Sequence, residues 1–134
     1  MKRHEKLIPY SRFHRKILFL ALIAKPNAPN VKGYPTKIDD KISYALAFYE
    51  NELSSHFLEE ESQLFAIYKG QDDELDLLID DLMNEREEIK SLFEQLFKKR
   101  EEAILNELGV SLEKHVRKEE RQFFQLLQEK VLEV

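Results

Sequence analysis

From Thr36 to Lys69 the chain runs without a glycine or a proline, and apolar side chains return at helical spacing: Ile42, Ala45, Tyr49, Leu53, Phe57, Leu64, Tyr68. An uninterrupted stretch of that length folds as one long helix. It also restricts what can surround it, since only 3 glycines and 4 prolines are available to turn the rest of the 134 residues. So few breakers favour a few long elements over many short strands. Hydrophobic residues at 43% and charged residues at 35% give a globular, helix-compatible mixture. The length suits one domain, residues 1–134, built around one core.

The remaining elements follow from the same signals. Leu7 to Ala24 reads as a first helix, with Ser11 as a cap near its start. Its apolar run Ile17–Ala24 follows a basic segment, as in a secretory signal. The leader is long for that and carries Glu5 and Pro9, so a buried helix is the preferred reading. Eight apolar residues do not span a bilayer, which needs about 20. Lys25–Thr36 is a loop holding three of the four prolines. Gly70 marks the end of the second helix, and Asp72–Asp73 can cap a third helix carrying Leu75, Leu78, Leu82, Ile89, Leu92 and Leu96. A weakly signalled turn near Lys98–Arg100 leads to a fourth helix through Ile104, Leu108, Leu112, Val116, Phe123, Leu127 and Val131. Gly109 lies inside it and marks either a close helix approach or a break. Four amphipathic helices with mostly short connections predict an all-α, up-down-up-down four-helix bundle. In that topology the second and fourth helices lie diagonally across the core.

Those two helices carry nearly the same phrase, HFLEEESQLF from His56 and HVRKEERQFF from His115. In each copy a His and the Glu four residues later occupy the apolar stripe: His56 with Glu60, and His115 with Glu119. Residues at i and i+4 share one helix face. His14 lies on the line Tyr10, His14, Leu18, Leu22 and can face inward from the first helix. Buried carboxylates are costly unless they are paired or bind a metal. Imidazole with carboxylate is a donor set for iron, manganese or zinc. A lone buried His is most simply a hydrogen-bonded core residue, but two matched pairs plus a third His favour a metal-site origin. The Glu-x-x-His order of ferritin-like sites is reversed here. Glu59, Glu61 and Glu120 are expected to be solvated.

The segments SRFH (Ser11–His14), HFLEEESQLF and LEKHVRKEERQFF (Leu112–Phe124) resemble the hemerythrin-like (HHE cation-binding) family. The opening KRHEKLIPYSRFHRKIL looks like the start of its bacterial members. The resemblance covers nearly the whole chain. It implies a four-helix bundle holding non-haem iron, one or two ions, with His14, His56, Glu60, His115 and Glu119 as ligands. Glu60 and Glu119 would be the bridging carboxylates. Family members bind dioxygen or nitric oxide, sense iron or oxygen, or act in iron repair and storage.

One position departs from the family pattern. Midway along the third helix a Glu-His pair is usual; here Glu85 is followed by Arg86. Helix one also has Arg15 and Lys16 after His14, where relatives often have more His. A guanidinium has no acceptor and cannot ligate a metal. Three outcomes stay open. Arg86 bridges Glu60 and Glu119 in place of metal charge; Arg86 reaches solvent and Glu85 takes the vacant ligand position; or one ion binds instead of two.

The functional expectation is a hemerythrin-like iron-binding protein open to a small diatomic ligand. The alternative is a metal-free bundle, closed by Arg86 on Glu60 and Glu119, acting as a structural or interaction module. A redox enzyme ranks below both, since no phosphate loop, nucleophilic triad or HExxH is present. The net charge of −5 without a basic stripe argues against nucleic acid. The absence of Cys excludes disulfides and thiolate metal sites and is compatible with a cytoplasmic protein.

Overall fold

The computed structural model describes residues 2–132, and among them the secondary structure is entirely helical. Helix α1 is Ile8–Ala24. Helix α2 runs continuously over residues 38–68 and α3 is Asp73–Lys99. Helix α4 runs over residues 102–130. α1 and α3 each pack against α4 and against α2, so α2 and α4 face one another across the core. Contacts between ends fix the directions. Arg3, just before α1, meets Glu120 near the end of α4. Lys130 at the end of α4 pairs with Asp72 at the start of α3. Arg100 after α3 pairs with Asp39 at the start of α2. The result is the expected up-down-up-down four-helix bundle.

The helix ends explain why some boundaries were clear and others faint. Asp72 caps α3 by accepting from Leu75 N–H at 3.0 Å, with Asp73, Glu74 and Asp76 in the first turn. Gly70 takes a positive φ of 90° after α2, a conformation glycine adopts without strain. The α3–α4 turn instead places Arg100 in the left-handed region, with φ 46°. Its guanidinium holds that conformation by bonding Asp39 Oδ1 at 2.7 Å and Ser43 Oγ at 2.8 Å. No glycine announces this turn because a side-chain anchor does the work. Ser11, expected as a cap of α1, is inside the helix and donates to Glu120 instead. Pro9 sits in the first turn, where its missing N–H costs nothing. α4 passes unbroken through Gly109, and a Cβ there would lie 2.9 Å from Lys25 N and 3.0 Å from Ala24 Cβ. Gly109 therefore marks a close approach of α1 to α4.

Periodicity did not reveal three π turns. Tyr49–Leu53 and Glu61–Phe65 interrupt α2, and Glu119–Phe123 interrupts α4. Each holds one extra residue per turn, and such bulges occur often at functional positions. Two of them begin at or directly after the inward Glu of the repeated phrase.

The core is in two parts. One cluster gathers Ile17–Ala24 side chains with Ile42, Leu53, Phe57, Ile89, Leu96, Leu108 and Val116. The apolar run of the first helix is thus core. The other cluster gathers Leu7, Leu64, Phe65, Leu75, Leu82, Phe123 and Leu127. Between them lies a buried polar layer made of His14, His56, Glu60, Arg86, His115 and Glu119. No helix among the described residues is long and apolar enough to cross a membrane.

Candidate metal centre

Each helix sends at least one side chain into the polar layer. α1 contributes His14, α2 contributes His56 and Glu60, α3 contributes Arg86, and α4 contributes His115 and Glu119. The five inward residues named from the sequence are therefore brought together. His14 Nε2 lies 4.0 Å from Glu60 Oε2 and 3.7 Å from Glu119 Oε2. His56 Nε2 lies 3.8 Å from Glu60 Oε2, and His115 Nε2 lies 3.7 Å from Glu119 Oε2.

Arg86 is fully buried and points into this layer, so it does not reach solvent. All five of its N–H donors have acceptors. Nε donates to His115 Nε2 at 3.1 Å. Nη1 donates to the Phe57 carbonyl at 3.3 Å and to Glu61 Oε2 at 3.1 Å. Nη2 donates to Glu60 Oε1 and, at 3.4 Å, to Glu119 Oε2. The guanidinium carbon lies 4.3 Å from the Phe57 ring centre and 4.6 Å from that of Phe65. A desolvated cation between two aromatic faces gains about 2 kcal/mol or more from such contacts.

The outer partners differ from those expected. Glu120 takes His14 Nδ1, Ser11 Oγ and Arg3 Nη2, so it is an orienting residue and not a solvated one. Glu61 pairs with Arg86. Glu59 is exposed as expected. Glu85, named as a candidate ligand for the vacant third-helix position, lies one layer out. Its Oε1 meets His115 Nδ1 at 2.9 Å and its other oxygen takes Lys118. A carboxylate on the Nδ1–H of an imidazole leaves its Nε2 as an acceptor, the arrangement metal-binding histidines use. Glu120 does this for His14 and Glu85 does it for His115. For His115, however, the acceptor is already taken by Arg86. The signal for Glu120 was its place next to Glu119 on a helix facing His14, which stripe counting alone does not register.

The electrostatics follow from this geometry. Burial holds His56 neutral, lowering it from 6.5 to about 4. Burial also lowers His115, opposed in part by its bond to Glu85. Burial pushes Glu119 well above the usual carboxylate range, and the charge of Glu60 adds to this. Glu60 feels the same burial, but Arg86 overrides it and holds Glu60 ionised. The two carboxylates are thus pushed in opposite directions, so the one that takes up a proton first is Glu119.

Three buried polar atoms have no hydrogen-bond partner among the described residues: His56 Nε2, Glu60 Oε2 and Glu119 Oε1. Orphaned buried acceptors cost about 1–3 kcal/mol each. A proton on Glu119 would serve the two carboxylate oxygens but not His56 Nε2, whereas a cation would serve all three. His14, His56 and Glu60 each offer a ligand atom within 4.8 Å of the others. The donor set of imidazoles and carboxylates fits a transition metal. An open groove of about 530 Å³, lined by Arg3, Ser11, Arg12, Arg15, His14 and Glu120, reaches this side of the layer. A groove of about 610 Å³ between Tyr49, Phe93 and Phe97 lies elsewhere and includes none of the ligand candidates.

The model of the hemerythrin HHE cation binding domain matches residues 11–127. The chain belongs to the hemerythrin HHE family. Its match runs from Ser11, next to the first inward His, to Leu127 beyond the last inward Glu. No curated protein and no solved structure matches the chain. The hemerythrin family model and the cluster of His14, His56 and Glu60 together support cation binding by this domain.

Proposed function

We propose that this hemerythrin-family protein binds non-haem iron through His14, His56, Glu60 and Glu119, and that a small diatomic ligand such as dioxygen or nitric oxide is what the iron receives. The observation carrying this reading is the set of buried atoms without a partner among the described residues, His56 Nε2, Glu60 Oε2 and Glu119 Oε1, with His14 Nε2 4.0 Å from Glu60 Oε2. His14 is held in the correct tautomer by Glu120, and His56 is kept neutral by burial against Phe13, whose ring centre lies 4.0 Å away. Bound iron would supply an open coordination position, which reversible ligand binding requires. The chain's own residues do the rest: the imidazoles orient, the carboxylates balance charge, and the apolar clusters on either side exclude water.

The metal-free alternative has one observation in its favour, the bonds from Arg86 to both Glu60 and Glu119. Those bonds use one oxygen of each carboxylate; a proton on Glu119 would serve the other two oxygens and would still leave His56 Nε2 without a partner among the described residues. Metal analysis and thermal unfolding decide between the two. Protein loaded anaerobically with ferrous iron should retain it through desalting and gain several kcal/mol of stability, since the ion binds the folded state alone. No retained iron and no stabilisation would leave the structural bundle as the better reading.

A further inference from the structure

The two sides of the polar layer are unequal. On the α1/α2 side, Nε2 of His56 and Oε2 of Glu60 have no partner among the described residues, and neither has Oε1 of Glu119. On the α3/α4 side every acceptor is spent. His115 Nε2 and the other oxygen of each of Glu60 and Glu119 all take N–H groups of Arg86. The remaining two donors go to Phe57 O and Glu61 Oε2. A guanidinium with five satisfied donors, stacked between Phe57 and Phe65, is as fixed as a bound ion and carries a permanent positive charge.

We propose that the centre holds one metal ion and that the Arg86 guanidinium is the built-in cation of its other half, so that Glu60 and Glu119 bridge a metal to an arginine. This inference rests on the metal-binding reading above and specifies it. His115 then belongs to Arg86 and is not a ligand. Glu61 and Glu85 are positioning residues: Glu61 holds the guanidinium, and Glu85 fixes the His115 tautomer that receives it. The charge balance supports the same division. Two buried carboxylates against one guanidinium leave one negative charge for a metal or a proton to offset.

The number of ions tests this directly. Wild-type protein titrated anaerobically with ferrous iron should stop at one ion per chain by native mass spectrometry. Arg86→His, which returns an imidazole to α3 and frees His115, should bind two. Should that variant fail to fold, nitrogen-15 spectra of the wild-type imidazoles still decide. On adding zinc alone, the Nε2 signals of His14 and His56 should shift while that of His115 keeps its position. Two ions on the wild type, or a zinc-induced shift of His115 Nε2, would overturn the inference while leaving metal binding intact. A folded Arg86→His protein that still stops at one ion removes Arg86 as the limiting group. No ion on either protein overturns both readings.

Discussion

Arg86 Nε–H donates to His115 Nε2 over 3.1 Å, across helices α3 and α4. That one bond spends the lone pair by which His115 would bind a metal, so this inward imidazole serves as a guanidinium acceptor. The same arginine reaches both central carboxylates.

Removing Arg86 without replacing its charge should be costly. Arg86→Met keeps the apolar bulk but strands Glu60 and Glu119 as unpaired buried acids. Losing one partner of a buried pair typically costs about 3–5 kcal/mol. Urea unfolding of the metal-free variant should show a loss of that order. Divalent metal should recover part of it, since the variant gains charge compensation from the ion.

The two outer carboxylates should separate by function. Glu120→Gln weakens the bond that orients His14 and should lower metal affinity about 10–100-fold, the usual effect of an outer-layer change. Glu85→Gln acts on His115, which Arg86 occupies, and should lower affinity far less. Calorimetric titration with zinc measures both. Equal losses would return His115 to the ligand set.

Acid should cost the metal-free protein stability through His56. Its folded value is about 4 against 6.5 for the unconstrained group, so the unfolded chain takes up the proton first as pH falls. This contribution is complete above about pH 6.5 and is lost toward pH 4, amounting to about 3 kcal/mol at most. His115 shifts in the same direction, and Glu119, raised by burial, acts in the opposite one. The difference between wild type and His56→Gln isolates the term. Urea midpoints at pH 7 and pH 4.5 should fall further for the wild type than for the variant.

Gly109→Ala offers a check on packing. Alanine favours a helix interior by about 1 kcal/mol over glycine. Here the added methyl would meet backbone atoms of Lys25 and Ala24 at about 3 Å, and backbone cannot move aside cheaply. The variant should melt at a lower temperature, with a net loss of about 1–3 kcal/mol.

The bundle and its inward residues were legible because two independent periodicities agreed: the apolar stripe defined the helices, and the His-Glu phrase broke it at matching places. Arg86 was visible as a departure, but its orientation was not, because a long side chain on a stripe position can turn inward or reach solvent. Glu61 and Glu120 look solvated in the sequence because each sits one residue off the stripe, yet they pair with Arg86 and with His14 and Ser11. The π turns next to Glu60 and Glu119 change the local helical phase and help bring these neighbours into use. No residue type signals a π turn, just as no glycine signals the turn at Arg100.

The polar layer has a consequence for cooperativity. It separates the apolar clusters around Phe57 and around Phe123, so the two ends of the bundle are coupled along the helices and through this charged seam. Hydrogen exchange should then find two protected blocks whose opening is synchronised when the seam is electrically balanced. Stripped of Arg86, and without a metal to replace it, the molecule should behave as two short bundles sharing four backbones, each able to fray on its own schedule.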